Sequence, residues 1–221
     1  MRCRVLSVLL VGLIVPVAAS DPIACSNPLF EVDAPTAALA RQICADAATA
    51  NAQLRDCEIT LNRTITLAVV DTLPDNCFGQ FHCGTDRIEI APPADIEGIL
   101  SSDSIYRALP PDTFYRSLIV HEVTHAATDA MPCPFENCIV GQEYLAYAMQ
   151  FLSLPGGDRD NLIEERFQRT ISRDELNVPI LFLAPEIFGQ KVWLHFSQQD
   201  DPCHFASQIA TGTVLLDMER F

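Results

Sequence analysis

The stretch Ser117-Leu118-Ile119-Val120-His121-Glu122-Val123-Thr124-His125-Ala126-Ala127-Thr128-Asp129-Ala130 decides the reading of this chain. It contains H-E-x-x-H, with Glu143 following downstream. Residues at i and i+4 stand one turn apart on one helix face, so His121 and His125 can reach a single Zn²⁺. Glu122, beside the first His, can then reach a water activated at that ion. Ile119, Val123, Ala126, Ala127 and Ala130 recur at helical spacing as an apolar stripe. Leu118, His121, Glu122, His125 and Asp129 fall largely off it. The spacing therefore predicts a helix that packs on its apolar side and turns its two His toward a cleft.

Working outward, Pro110-Pro111-Asp112 reads as the start of this helix, with Asp112 as N-cap and a span near 113–130. Met131-Pro132-Cys133-Pro134 ends it. A second helix over about 138–153 carries Glu143. Leu145, Ala148, Met149 and Leu152 form its core stripe, and Glu143, Tyr147 and Gln150 share another face. Upstream, 36–56 is Ala-rich with helical spacing and Thr36 as a possible N-cap. From 58 to 70 the period changes to two, which predicts a half-buried strand or two short ones. Residues 72–85 read as loop. Arg87-Ile88-Glu89-Ile90-Ala91 alternates again and stops at Pro92-Pro93. A short helix or two is expected over 95–108, and an amphipathic helix over 158–171 through Leu162, Ile163, Phe167 and Ile171. Residues 178–196 are very apolar but broken by Pro179, Pro185, Gly189 and Lys191, which predicts core and not membrane. The last segment, 203–221, reads ambiguously. The expected fold class is α+β, a small sheet followed by helices.

Residues 1–20 read as a secretory signal. Arg2 and Arg4 precede an apolar run from Val5 to Val17, too short for a confident membrane span, and Ala18-Ala19-Ser20 offers small residues for cleavage. No lipobox precedes Cys25, so no stable membrane anchor is expected. The remainder, 21–221, is enough for one sizeable domain. Nine Cys are present; Cys3 leaves with the leader. The other eight suggest up to four disulfides in an exported chain. Cys133 with Cys138, and Cys77 with Cys83, each bracket a short loop and are the expected pairs. The net charge of −15 repels phosphate backbones and excludes nucleic acid as a main partner. Oligomeric state cannot be read from the sequence.

His121-Glu122-Val123-Thr124-His125 with Glu143 resembles the zincin metallopeptidases, specifically the gluzincin branch, over roughly 86–153. The resemblance implies His121, His125 and Glu143 as zinc ligands and Glu122 as general base. It also implies that the strand Arg87 to Ala91 is an edge strand that pairs with substrate backbone. The His125 to Glu143 interval is shorter than the commoner gluzincin spacings, and the Cys133/Cys138 loop can shorten the turn. Asp129, one turn beyond His125, is the runner-up ligand, or a hydrogen-bond partner of a ligand His. A peptidase also needs an oxyanion donor, for which Tyr147, His195 and His204 are candidates. Together these expectations describe a secreted or periplasmic zinc peptidase acting on peptide or protein. The alternatives are a non-catalytic secreted binding or structural module that keeps the zincin-like fold, and a disulfide-stapled domain with no metal.

Overall fold

A computed structural model describes residues 22–74 and 77–217. The leader reading of 1–20 lies outside the described residues. The fold is α+β: a five-stranded sheet, helices, and three disulfides. The strands are β1 (Ile23–Ala24), β2 (Phe30–Asp33), β3 (Ile65–Val69), β4 (Gly79–His82) and β5 (Arg87–Ile90), in the order β1-β2-β3-β5-β4. β2, β3 and β5 run parallel, and β1 and β4 are antiparallel strands at the two edges.

The helix α1 (Ala37–Asp56) joins β2 to β3, and the Thr36 hydroxyl accepts from the Leu39 N–H at 3.2 Å, the cap expected of Thr36. A short α2 (Ile96–Ile99) and a 3₁₀ turn at Ile105–Ala108 lead into α3 (Pro111–Thr128). This helix begins two residues earlier than the sequence predicts. Pro111 takes N1, where its missing N–H costs nothing, and Asp112 lies in the first turn instead of capping it. α4 (Ile139–Leu152) follows, then α5 (Gly156–Asn161), α6 (Val178–Leu183), α7 (Pro185–Ser197) and α8 (Pro202–Ala210). α8 resolves part of the ambiguous C-terminal segment. Among the described residues, no helix is long and apolar enough to cross a membrane.

α3 packs against α1, α4 and β4, and its burial extends well beyond the apolar stripe. Of the predicted stripe, Ile119, Val123 and Ala126 are buried, but Ala127 is half-buried and Ala130 is exposed beyond the helix end. Phe114, Tyr115, Leu118, Val120, Glu122 and Thr124, off the stripe, are buried as well. The helix is enclosed on most sides, with one opening along His121 and His125.

Four local expectations are corrected. The strand predicted from 58 begins only at Ile65; Ile59 and Leu61 are buried in coil that leads into it. Residues 72–85 contain β4, a strand with no apolar alternation to announce it. The edge strand at this end is therefore β4, and β5, expected at the edge, lies between β3 and β4. The amphipathic helix over 158–171 is broken into α5 and a 3₁₀ turn at Glu165–Phe167. The buried Gln190 takes the Glu164 N–H on its Oε1 at 2.9 Å, which removes that amide from a helical ladder. Leu162, Phe167 and Ile171 are buried nonetheless, which explains their spacing.

Cys133 and Cys138 are bonded as expected, and two long-range bridges join Cys25 to Cys44 and Cys57 to Cys203. Cys77 and Cys83 are free thiols. The expected bond between them fails because β4 lies between the two. An extended run of that length separates its ends by roughly 20 Å, whereas a disulfide needs Cα atoms within about 7 Å.

Candidate metal centre

α3 and α4 bring the predicted residues together. His121 Nε2 and His125 Nε2 are 3.1 Å apart. Glu143, from the first half of α4, places one carboxylate oxygen 3.7 Å from His121 Nε2 and the other 3.6 Å from His125 Nε2. The Pro-rich reversal closed by Cys133–Cys138 is short enough to lay α4 back along α3, so the short His125 to Glu143 interval suffices. Two donors held at zinc bonding distance and the tetrahedral angle stand roughly 3.3–3.5 Å apart. The observed separations bracket that value. A two-imidazole, one-carboxylate set is the donor chemistry of catalytic zinc sites that leave a fourth position open.

Electrostatics point the same way. Burial pushes Glu143 up to about 7. Burial and the Glu143 charge push Glu122 up to about 8. Burial lowers His125 to about 4, and burial with the neighbouring His125 lowers His121 well below its ordinary value. Among the described residues, no Lys or Arg forms an ion pair with Glu122 or Glu143. A buried Glu122 and a half-buried Glu143 facing two neutral imidazoles, without a cation, form a donor cluster suited to a positive ion.

Glu122 is 6% exposed. It lies against the edge strand β4, where the Phe81 backbone N–H donates to its carboxylate. A Cβ on Gly79 would stand 2.9 Å from the Glu122 Cγ, so glycine makes this approach possible. The Ala91 N–H donates to the Phe78 carbonyl, which fixes the phase of the β4–β5 ladder. In an antiparallel pair, alternate residues bond inward and outward, so the backbone groups of Gly79 and Phe81 face the open side of β4.

These residues line a cleft of about 580 Å³, within the size range of ligand-binding clefts. Tyr147 lines it too, its ring edge-on to His121 with centroids 4.8 Å apart. His195 and His204 do not line it. His195 is buried elsewhere, with its Nδ1 2.9 Å from the Tyr144 hydroxyl, and His204 sits at the exposed start of α8. Of the three expected oxyanion donors, only Tyr147 is in position. Asp129 lines the cleft but forms an ion pair with Arg63 at 2.7 Å and is not part of the donor cluster.

Sequence reasoning missed three contributors. The sequence puts Gln150 on the face of Glu143 and Tyr147 but carries no sign of its bond to His121. Gly79 carries no local signal of its packing. Tyr106 is 6% exposed and lines the cleft with a buried hydroxyl that has no partner among the described residues.

The sequence pattern of a family described as of unknown function, DUF6639, matches residues 30–219. No curated protein and no solved structure matches the chain.

Proposed function

The chain belongs to a family of unknown function, DUF6639, and we propose that it is an exported zinc-dependent peptidase resembling the gluzincins. The observation that carries this reading is the mutual spacing of His121, His125 and Glu143, with Glu122 buried beside them. His121, His125 and Glu143 would hold the zinc. When bound, zinc supplies Lewis acidity to a water and to the scissile carbonyl. Glu122 would take a proton from the attacking water as its oxygen bonds to the scissile carbonyl carbon, and would return that proton to the amine nitrogen as the C–N bond breaks. Burial raises this carboxylate in the metal-free chain, and a zinc charge beside it would bring it back down toward the range in which one group both accepts and returns a proton. The open side of β4 aligns an extended substrate by main-chain hydrogen bonds. Tyr147, and Tyr106 with its unpaired hydroxyl, are the donors positioned to face developing negative charge on the substrate carbonyl. Three disulfides fit an oxidising compartment, as export requires.

The test is zinc content of purified wild type beside His125→Ala, followed by a fluorogenic peptide screen of wild type and Glu122→Gln. The reading expects one zinc per chain, lost in His125→Ala. It also expects hydrolysis that falls roughly 10²- to 10⁴-fold in Glu122→Gln while zinc stays bound. Zinc in wild type without any hydrolysis would move the assignment to a non-catalytic module built on the same centre.

A further inference from the structure

Behind His121 runs a buried chain of hydrogen bonds whose direction is fixed at one end. The Ser117 Oγ lies 2.7 Å from the Phe114 carbonyl oxygen, which can only accept, so the Ser117 hydroxyl donates there. Its oxygen then has only lone pairs to offer Gln150, whose side-chain amide nitrogen sits 3.2 Å away. The Gln150 amide must therefore present N–H to Ser117 and its carbonyl oxygen to His121. That carbonyl oxygen is 3.0 Å from His121 Nδ1 and accepts only, so the proton resides on Nδ1. A neutral imidazole protonated there has a bare Nε2, and Nε2 is the atom that faces His125 and Glu143.

Resting on the zinc reading above, we propose that Gln150 is a positioning residue. Together with Ser117 it locks His121 in the Nδ1–H tautomer and aims the Nε2 lone pair at the metal. Gln150 is 2% exposed and Ser117 1%, so water does not substitute for either partner. Among the described residues, no side chain is bonded to His125 Nδ1. The two ligands thus differ: His121 is set in advance and His125 adjusts. The relay spans the helix pair, from the first turns of α3 to the last turn of α4. It couples the packing of the two helices to the chemistry of one ligand atom.

The experiment uses the full oxidised protein with zinc as the probe. Zinc affinity is measured by chelator competition for wild type, Gln150→Met, Gln150→Glu and Ser117→Ala, and the His121 tautomer is read by ¹⁵N NMR in the metal-free proteins. The relay expects the Nδ1–H form in wild type and a mixture of tautomers in Gln150→Met. It expects zinc affinity to fall roughly 10- to 100-fold in Gln150→Met, to recover in Gln150→Glu, which still accepts from Nδ1–H, and to fall by less in Ser117→Ala. Nε2–H as the wild-type tautomer would overturn it, as would folded Gln150→Met with zinc affinity within about twofold of wild type. If Gln150→Met does not fold, Ser117→Ala decides: an unchanged tautomer and affinity there overturn the relay. If wild type binds no zinc, the metal reading falls, and the tautomer measurement alone decides the relay.

Discussion

Gly79 and Glu122 are packed so closely that a methyl group on Gly79 would lie 2.9 Å from both the Cγ and the Oε1 of the glutamate. The contact joins the edge strand to the helix that carries the two His, and it sets where the carboxylate points. Gly79 is not among the positive-φ glycines, so alanine is compatible with its backbone. In Gly79→Ala the carboxylate must therefore swing away and give up the Phe81 N–H. Displacing a reacting group by about 1 Å costs on the order of 10²-fold in rate. If the chain is the proposed peptidase, Gly79→Ala should lose about that much activity while keeping its zinc, because the three atoms nearest to the added methyl all belong to Glu122 and not to a ligand. Turnover assays paired with zinc analysis check this; loss of zinc would place the damage elsewhere.

The buried carboxylates give the metal-free protein an unusual pH response. Glu122 and Glu143 are raised to about 8 and about 7, so folding favours their protonated forms. Their stability contribution is full at low pH and is lost as pH rises through those values. His121 and His125 are lowered, so their contribution is full above about 6.5 and is lost only as pH falls below it. Between about pH 6.5 and 8 only the carboxylates change. Melting temperature of the metal-free protein should thus decline across that window, and saturating zinc should remove or reverse the decline. Zinc must also displace the Glu143 proton below about 7, so zinc affinity should weaken as pH falls from 8 to 6. Calorimetry in buffers of different ionisation enthalpy should show more proton release at pH 6 than at pH 8. A melting temperature that rises from pH 6.5 to 8 without metal would contradict the burial of these groups.

Cys77 and Cys83 line the same cleft as free thiols, one on each side of β4. Cys83 is exposed, whereas burial and the nearby Glu122 push the Cys77 thiol up. A thiol held protonated reacts slowly. Alkylation of the native protein should therefore label Cys83 first and Cys77 late, leaving Cys25, Cys44, Cys57, Cys133, Cys138 and Cys203 unlabelled without reductant. Peptide mapping reads this directly. A Cys77–Cys83 crosslink would show that β4 can be lifted from β5.

How much was legible depends on how local the cause is. Thr36 acts within α1, and the His pair and the stripe through Ile119, Val123 and Ala126 within α3, and in each helix local spacing carries the information. Glu143 was readable because the chain reversal before it is short and covalently closed. Gly79-Gln80-Phe81-His82 was not, since none of its side chains is fully buried and its strand character comes from pairing with β5. The spacing of Leu162, Phe167 and Ile171 imitated a helix because burial, and not periodic backbone, is what those residues share. Gln150 and Tyr106 gain their roles from partners or open space far away in sequence, which no local pattern records. Asp217 belongs with these.

Asp217 lies near the C-terminus of the described chain, yet its two carboxylate oxygens accept the Val140 and Gly141 N–H groups, each at 2.9 Å. The N-cap residue of α4, Cys138, makes no side-chain cap of its own, so Asp217 supplies that function from outside the helix. A carboxylate at this position also favours the helix dipole. Loss of such a cap costs about 1 kcal/mol. The first turn of α4 leads directly into Glu143, so loosening it should be felt at the proposed zinc site. Asp217→Ala should therefore lower stability by about that amount and weaken zinc binding several-fold, with hydrolysis per bound zinc little changed. Asp217→Asn, which keeps one acceptor oxygen, should fall between. Chemical denaturation and chelator competition on the same preparations test both effects. A full stability loss with unaltered zinc affinity would show that α4 is held at Glu143 by its packing on α3 alone.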